Sequence, residues 1–259
     1  MLEIPLQEKI ARNDVMGPID CPVCGRKHLM IENWGNLRES GLCPHCKASN
    51  RARQLGLAAA LYATQVLDVR ISTVEGLHRH PDIRIYNTEC QGALHKILRG
   101  AAHYVCSEYL GDDVKPGASV NGVRHEDLRK TSFADSTFDL ILSTEVFEHI
   151  PEPYKAHEEL FRILKPGGAH VFTVPYISNV YEDIVKASVH SNGSVIHHQD
   201  PEYHGDPIRN EGILVFTIFA QQMVDKLCNM GYLVRILHLR IPEFGILGGN
   251  NRVFIAVKP

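Results

Sequence analysis

The feature that most constrains the fold is an alternation of strand-like and helix-like segments from about residue 82 onward. Short apolar runs are separated by longer segments whose apolar residues recur at helical spacing. This alternation predicts the α/β class, with a doubly wound, mainly parallel sheet covered by helices on both faces. Ligands of such sheets bind at the carboxyl ends of the strands. The predicted strands are 83–86, 103–106, 138–143, 169–174, 232–239 and 252–257, and the predicted helices are 92–98, 153–164 and 219–230.

The N-terminal part of the chain carries two C-x2-C pairs. Cys21 and Cys24 form the first pair, Cys43 and Cys46 form the second, and 18 residues separate the pairs. Each spacing lets one tight turn place two thiolates on the same ion, so that two turns complete a tetrahedron. We therefore predict a structural Zn²⁺ site, because four thiolates leave no open coordination position. Two disulfides are the alternative, which the absence of a secretion-type leader disfavours.

The two patterns divide the chain into three parts. Residues 1–55 form the predicted zinc-binding module, and residues 81–259 form the predicted α/β domain. Between them, residues 56–80 continue a helix that begins in the Ala- and Leu-rich segment 51–67, where helix-forming residues dominate. We expect this helix to join the two modules.

Composition excludes some classes of protein. The longest apolar stretches have about eight residues, whereas a membrane-spanning helix needs roughly 20. The formal net charge of −3 gives no electrostatic reason to expect nucleic-acid binding. The N-terminus has no apolar core of a signal peptide, so a cytoplasmic location is expected.

Motifs in the α/β part occur in a recognisable order. Segment 132–151 reads SFADSTFDLILSTEVFEHIP, and segment 159–168 reads ELFRILKPGG. Together they resemble the class I S-adenosylmethionine-dependent methyltransferases, over about residues 80–259. The resemblance implies a Rossmann-like sheet of seven strands. The cysteine pairs, followed by SNRAR at 49–53, resemble a bacterial branch in which a zinc ribbon precedes this domain.

The resemblance also implies how the cofactor S-adenosylmethionine is held. The loop after the first strand holds the methionine part, and of the glycines usual in this loop the sequence keeps only Gly92. Carboxylates at the end of the second strand and further along the chain would accept hydrogen bonds from the ribose hydroxyls and the adenine amine. The implied cofactor-binding residues are Asn87, Thr88, Glu89 and Gly92 in the loop, Glu108 and Tyr109 after the second strand, Asp127 and Leu128, and Ser143 and Thr144 after the fourth strand.

The E-x-x-E-H run suggests a second metal site. If this run is helical, Glu145, Glu148 and His149 share one face. The run resembles metal-dependent O-methyltransferases, which carry a further ligand downstream, and here His204 is the preferred candidate over His197 and His198. A Mg²⁺ or Mn²⁺ ion there would lower the pKa of an acceptor hydroxyl. The alternative is that the run binds no metal.

Methyl transfer from a sulfonium is an in-line displacement that requires alignment and, for a hydroxyl acceptor, a base. We expect His149 or His204 as the base, with Glu145 assisting, and segment 177–212 as a lid over the acceptor. The expected acceptor is a hydroxyl of a small molecule, sugar or metabolite. Two alternatives stay open. One is an RNA methyltransferase whose zinc ribbon holds nucleic acid, and the other is a non-catalytic scaffold whose methyltransferase domain has lost its cofactor.

Overall fold

The computed structural model describes residues 16–30, 38–205, 212–249 and 251–259. Within these ranges a central sheet carries helices on both faces, and the cysteine module packs at one side. In chain order the elements are β1 (Met16–Asp20), β2 (Lys27–Met30), α1 (Asn50–Leu67), α2 (Val74–Arg79), β3 (Ile85–Asn87), α3 (Gly92–Leu98), β4 (Tyr104–Cys106), β5 (Ser119–Val120), β6 (Val123–Arg124), β7 (Phe138–Thr144), a 3₁₀ helix (Phe147–His149), α4 (Pro153–Ile163), β8 (Leu164–Thr173), β9 (Ile184–Val185), β10 (Ala187–Val189), β11 (Val195–His197), β12 (Tyr203–His204), β13 (Ile213–Leu214), β14 (Thr217–Ile218), α5 (Gln221–Asn229), β15 (Leu233–His238), a second 3₁₀ helix (Pro242–Phe244) and β16 (Arg252–Val257).

The central sheet has the strand order β15-β16-β8-β7-β3-β4. Strands β8, β7, β3 and β4 are parallel neighbours, whereas β16 runs antiparallel to both β8 and β15. This confirms the predicted mainly parallel α/β fold. The expected number of seven strands is wrong, since the described sheet has six. Next to β4 a single parallel bridge joins Glu108 to His125, and the intervening chain folds back as the local hairpin β5–β6 instead of extending along the edge.

Each face of the sheet buries its own apolar cluster, because successive side chains of a strand point to opposite faces. Ile85, Leu140 and Leu142 pack on one face with residues of α1, α2 and α3. Tyr86 and Ile141 pack on the other face with residues of α4 and α5. The alternation along β3 and β7 therefore explains why the sheet is doubly wound.

Helix α1 connects the cysteine module to the sheet through direct packing. Its N-cap Ser49 accepts a hydrogen bond from the Ala52 amide, and the helix packs against β7, β8 and β16. At Gly56 a Cβ atom would lie 2.8 Å from a methyl group of Val74 and 3.1 Å from one of Val23, so only glycine permits this approach. The cysteines, α1 and the sheet consequently share one core. No described helix is long and apolar enough to cross a membrane.

Three segments differ from the sequence-based expectations. The KPGG run predicted as a turn lies within β8, where the pairing with β7 shifts register. Helix α5 begins at Gln221 rather than at 219, because Phe219 is buried and bridges to Tyr176. The segment 177–212 contains β9 to β12. Within it β10 pairs with β11, whereas β9 and β12 pair with β14 and β13, which follow the segment. Its residues 206–211 lie outside the described ranges. Its role as a lid stays a prediction.

Two buried histidines occupy the core below the 3₁₀ helix. The rings of His157 and Phe147 stack with centroids 4.1 Å apart, and both ring nitrogens of His157 lack a hydrogen-bond partner. His170 contacts Ser143 Oγ through Nε2 at 2.7 Å. Burial lowers the pKa of His157 to about 3 and lowers the pKa of His170 well below its usual value. Both rings are therefore neutral in the folded protein at neutral pH.

Removing the titratable ring of His157 tests this arrangement. Below pH ~6.5 the unfolded chain binds protons at these histidines while the folded chain does not, so the unfolding free energy falls as the pH falls. For His157 this loss is roughly 2 kcal/mol between pH 7.5 and pH 5. In H157F the decrease, measured by urea unfolding at the two pH values, should be smaller by that amount. The exposed-site variant H190Q should behave like the wild type, and an unchanged pH dependence of H157F would contradict the assignment.

Candidate functional site

The sheet order places a topological switch point between β3 and β7. From β3 the chain continues to β4 on one side, whereas β7 and then β8 lie on the other side. Such a point opens a crevice at the carboxyl ends of the two strands, where ligands of open α/β sheets bind. Here the crevice lies between the loop 88–92 and the segment 145–149, which follow β3 and β7 directly.

The loop after β3 is held by one hydrogen bond to β7 and by one within the loop. The Thr88 amide donates to Leu142 O at 3.0 Å, and Asn87 Nδ2 donates to Glu89 O at 2.8 Å. Gly92 begins α3 with φ of +78°, in the left-handed region that glycine tolerates best. The loop is therefore a defined structure although it contains a single glycine.

Two polar atoms of this loop are buried without a hydrogen-bond partner. They are Thr88 Oγ1 and Glu89 Oε1. Burial raises the pKa of Glu89 to about 7, although a hydrogen bond with Thr144 and the charge of Arg51 oppose the increase. A buried acceptor without a donor costs free energy. A ligand that brings hydrogen-bond donors into the crevice would remove this cost.

The expected ribose and adenine carboxylates lie on the β4 side of the loop. Glu108 Oε1 accepts a hydrogen bond from the Cys90 amide at 2.7 Å, which ties the end of β4 to the loop. Tyr109 is exposed and donates its hydroxyl to Asp112. Asp127 accepts bonds from the Arg129 amide and guanidinium, and despite the opposing effect of burial these bonds lower the pKa of Asp127.

Not all of the expected cofactor residues present their side chains to the crevice. Ser143 is fully buried with its hydroxyl on His170, and Leu128 belongs to the apolar cluster beside α4. Thr144, in contrast, reaches Glu89 across the crevice. The structure thus brings Thr88, Glu89 and Thr144 together and directs the Ser143 side chain into the core.

A second cluster lies beyond the end of β7. Glu148 is fully buried, neither carboxylate oxygen has a hydrogen-bond partner, and its Oε1 lies 3.7 Å from both His149 Nε2 and His204 Nδ1. The two imidazole rings meet edge to face with centroids 5.0 Å apart. One ligand atom from each of the three residues lies within 4.8 Å of the others, so that one metal ion could bind all three after small side-chain movements.

A hydrogen bond orients His149, and two carboxylates lie close to His204. His149 Nδ1 lies 2.8 Å from Leu214 O, and because a carbonyl only accepts, this nitrogen carries the proton. In the neutral ring Nε2 then has its lone pair on the side of Glu148. Interaction with Glu148 and then Glu202 raises the pKa of His204 against the opposing effect of burial, and burial raises the pKa of Glu148 to about 7.

Glu145 does not share a helical face with Glu148 and His149, so that expectation is wrong. The 3₁₀ helix begins only at Phe147, and Glu145 has φ of +53°. Its carboxylate turns to the cysteine module, where Arg38 Nη2 donates to it at 2.5 Å and Arg51 Nη1 lies 4.0 Å away. Glu145 is not one of the three clustered ligand residues. His197 and His198 are exposed and are likewise outside that cluster.

The four predicted zinc ligands converge. The sulfurs of Cys21 and Cys46 are 3.7 Å apart, those of Cys24 and Cys43 are 3.8 Å apart, and all four lie within 4.8 Å of one another. Bonds of about 2.3 Å in a tetrahedron place sulfurs about 3.8 Å apart. This donor set therefore fits Zn²⁺.

Arg53 supports the cysteine turns from inside the protein. It is completely buried, and its guanidinium donates to Gly41 O and Ala48 O beside the second cysteine pair and to Gly245 O before β16. Burial lowers the pKa of Arg53, which the nearby thiol groups of the cluster oppose. A zinc tetrathiolate would supply the negative charge that this buried cation requires.

Three arginines were not identified as site residues from the sequence. Arg38 and Arg51 reach the crevice, and Arg53 reaches the cysteine turns. The SNRAR run supported the resemblance to a zinc-ribbon branch but did not show where each guanidinium points, since that depends on how α1 packs on the sheet. From the sequence, Glu145 was expected to act together with Glu148 and His149, whereas in the structure it pairs with Arg38.

Comparison with known proteins identifies similar sequences over part of the chain. Residues 90–172 match the family model described as a methyltransferase domain. A protein from Mycobacterium sp. (strain KMS), described as an uncharacterized methyltransferase, is 40% identical over 60 residues, which cover 22% of this chain and 23% of that protein. A second uncharacterized methyltransferase, from Mycobacterium leprae (strain TN), is 44% identical over 41 residues, which cover 16% of this chain and 15% of that protein. The matches span about a quarter or less of the length of these curated relatives.

Solved structures are similar at low sequence identity. An S-adenosylmethionine-dependent methyltransferase from Mesorhizobium loti aligns with a TM-score of 0.40 and 14% identity over 67% of this chain and 89% of its own. DesVI from Streptomyces venezuelae aligns with a TM-score of 0.42 and 14% identity over 78% of this chain and 94% of DesVI.

The zinc assignment predicts a clear response to loss of one thiol. The variant C43S should lose most of its zinc and unfold at a lower temperature, because a buried hydroxyl replaces a thiolate ligand. The wild type should carry about one zinc ion per chain, measured by atomic absorption alongside thermal unfolding.

The chain supplies a matched control. Cys228 is exposed and lies outside the cluster, so C228S should keep the zinc content and melting temperature of the wild type. Equal zinc content in C43S and C228S would contradict the site.

Proposed function

We propose that this chain, whose α/β part is a class I methyltransferase domain, transfers a methyl group from S-adenosylmethionine to a hydroxyl acceptor. The proposal also assigns a divalent metal ion to Glu148, His149 and His204, beside the crevice at the end of β7. The observation that carries it is the buried Glu148 carboxylate, whose two oxygens have no hydrogen-bond partner and which lies between two histidine rings.

The crevice fits S-adenosylmethionine in the chemistry of its donors and acceptors. The buried oxygens of Thr88 and Glu89 lack donors, and an ammonium group supplies them. Glu108 stands at the end of the neighbouring strand, where a carboxylate is suited to accept hydrogen bonds from ribose hydroxyls. When bound, the cofactor supplies an electrophilic methyl group on a sulfonium. The residues around it bind and orient both reactants.

Glu148, His149 and His204 favour an acceptor that must lose a proton before it is methylated. A carboxylate and two imidazoles are suitable ligands for a divalent ion such as Mg²⁺ or Mn²⁺. The bond from His149 Nδ1 to Leu214 O is the kind of outer contact that fixes a ligating imidazole. A bound ion would lower the pKa of a coordinated hydroxyl, whose proton can then leave to solvent water. Without an ion, the unprotonated nitrogen of His149 or His204 would be the group that accepts this proton.

The segment 177–212, an insertion between β8 and α5, contributes to this centre together with the residues that follow it. His204 lies on β12 within the insertion. After it, Leu214 lies on β13 and the Phe216 amide donates to Glu148 O at 2.7 Å. Lys186, also in the insertion, pairs with Glu202 at 2.5 Å, and Glu202 lies 3.4 Å from His204. These contacts support the view that segment 177–212 borders the acceptor. A small hydroxylated molecule, sugar or metabolite is the acceptor class that we propose.

Replacement of the central carboxylate tests the metal centre. In E148Q the affinity for Mn²⁺, measured by calorimetry on zinc-loaded protein, should fall about tenfold or more because the anionic ligand is lost. Methyl transfer from labelled cofactor to a panel of hydroxylated acceptors should fall with it. H197N removes an exposed imidazole of the same insertion and should leave both unchanged.

Two results would contradict the proposal. One is full methyl transfer by protein treated with EDTA and reconstituted with zinc alone at the cysteines. The other is an equal Mn²⁺ affinity in the wild type and E148Q.

A further inference from the structure

A group of charged side chains closes the crevice from the side of the cysteine module. Glu89 and Glu145 lie in the segments that follow β3 and β7, and the guanidinium groups of Arg38 and Arg51 lie 2.5 and 4.0 Å from the carboxylate of Glu145. Only about 15% of the side-chain surface of Glu145 and 14% of that of Arg38 are exposed. Charges this shielded from water interact strongly with a ligand that enters between them.

Arg51 is oriented toward the crevice by a neighbour on its outer side. Its Nε and Nη2 atoms each lie 2.9 Å from an oxygen of Glu39, which leaves the Nη1 edge directed to Glu145 at 4.0 Å. A planar guanidinium fixed along one edge presents the remaining N–H groups in a defined direction. The charge of Arg51 also opposes the increase that burial causes in the pKa of Glu89.

The charges of this group match those of the cofactor. Three carboxylates, of Glu39, Glu89 and Glu145, and two guanidiniums, of Arg38 and Arg51, sum to a formal charge of −1 when all are ionised. S-adenosylmethionine carries an ammonium, a sulfonium and a carboxylate, hence a net charge of +1. Its amino-acid end therefore needs both an anion and a cation within a few ångströms of each other.

The loop after β3 has few means of supplying this recognition through backbone alone. Its only glycine, Gly92, lies at its end, and its amide groups are partly engaged, that of Thr88 with Leu142 O and that of Cys90 with Glu108. Side chains must therefore make the contacts with the ligand that the backbone of a glycine-rich loop would otherwise make. Glu89 within the loop and the two arginines beside Glu145 are the side chains available to make these contacts.

We propose that Arg38 and Arg51 of the cysteine module bind the carboxylate of S-adenosylmethionine while Glu89 accepts hydrogen bonds from its ammonium. Glu145 positions Arg38 at the mouth of the crevice. This inference rests on the proposed function, because it assigns the amino-acid end of that cofactor. It gives the zinc module a direct part in cofactor binding in addition to its packing on the sheet.

A pair of ligands that differ only in the carboxylate tests the assignment. The affinities of S-adenosylmethionine and decarboxylated S-adenosylmethionine are measured by calorimetry on the full zinc-loaded chain. The wild type should bind the carboxylated ligand about tenfold or more tightly, as expected for charge-assisted hydrogen bonds. In R51Q and R38Q this preference should shrink toward one, while the affinity for the decarboxylated ligand stays within about twofold.

Two further variants separate recognition of the ligand carboxylate from a general effect of removing an arginine. R51K retains the charge without the planar fork and should keep part of the preference. R79Q removes an exposed arginine that pairs with Glu75 and should retain the full preference. Zinc content and unaltered binding of the decarboxylated ligand report that each variant is folded.

Each outcome of these titrations either supports or overturns the inference. A wild-type preference that persists in both R51Q and R38Q overturns the inference, and so does a wild type without a preference. Equal weakening of both ligands in the variants also overturns it, because the arginines would then act only on the shape of the crevice. If the wild type binds neither ligand, the proposed function fails together with the inference.

Discussion

The packing of α1 against both the cysteine turns and the sheet is the constraint on which the rest of the structure depends. Arg53, buried within this helix, binds carbonyl oxygens of the cysteine turns on one side and Gly245 O on the other. Gly56, one turn later, permits contact with Val23 and Val74. Because α1 is fixed in this way, Arg51 at its first turn necessarily lies at the crevice. The cysteine cluster of the module and the crevice of the sheet are thus parts of one packing arrangement.

Two clusters with different chemistry flank the end of β7. On one side, Glu89 and Glu145 face arginines of the cysteine module, an environment suited to a zwitterion. On the other, Glu148, His149 and His204 form a group suited to a divalent ion. The short segment 145–149 reaches both, because the left-handed backbone at Glu145 turns its side chain away from that of Glu148. The proposed cofactor and acceptor would therefore meet across a few residues.

The sequence predicted those features that depend on local patterns. Spacing predicted the four cysteine ligands that converge, and periodicity predicted the strands of the parallel sheet. The predicted helix 92–98 has the observed bounds of α3. In these cases neighbouring residues along the chain determine the result, through turns, helical spacing or alternation.

Features that depend on tertiary contacts were not predictable in the same way. The number of strands was overestimated because residues after Glu108 prefer a local hairpin over the sheet edge. The helical face expected for Glu145 assumed that the helix starts directly after β7, whereas Glu145 has a left-handed backbone and its side chain pairs with Arg38, 107 residues earlier. Ser143 likewise turns to His170 because β7 directs its side chain into the core.

The central claim is that the switch point of this sheet binds the nucleoside cofactor despite its glycine-poor loop. Calorimetric titration of the zinc-loaded wild-type chain with S-adenosylhomocysteine tests it most directly. The account predicts saturable binding at one site per chain with micromolar affinity, and a higher melting temperature in the presence of the ligand. Folded, zinc-loaded protein that shows neither binding heat nor a change in melting temperature would contradict it.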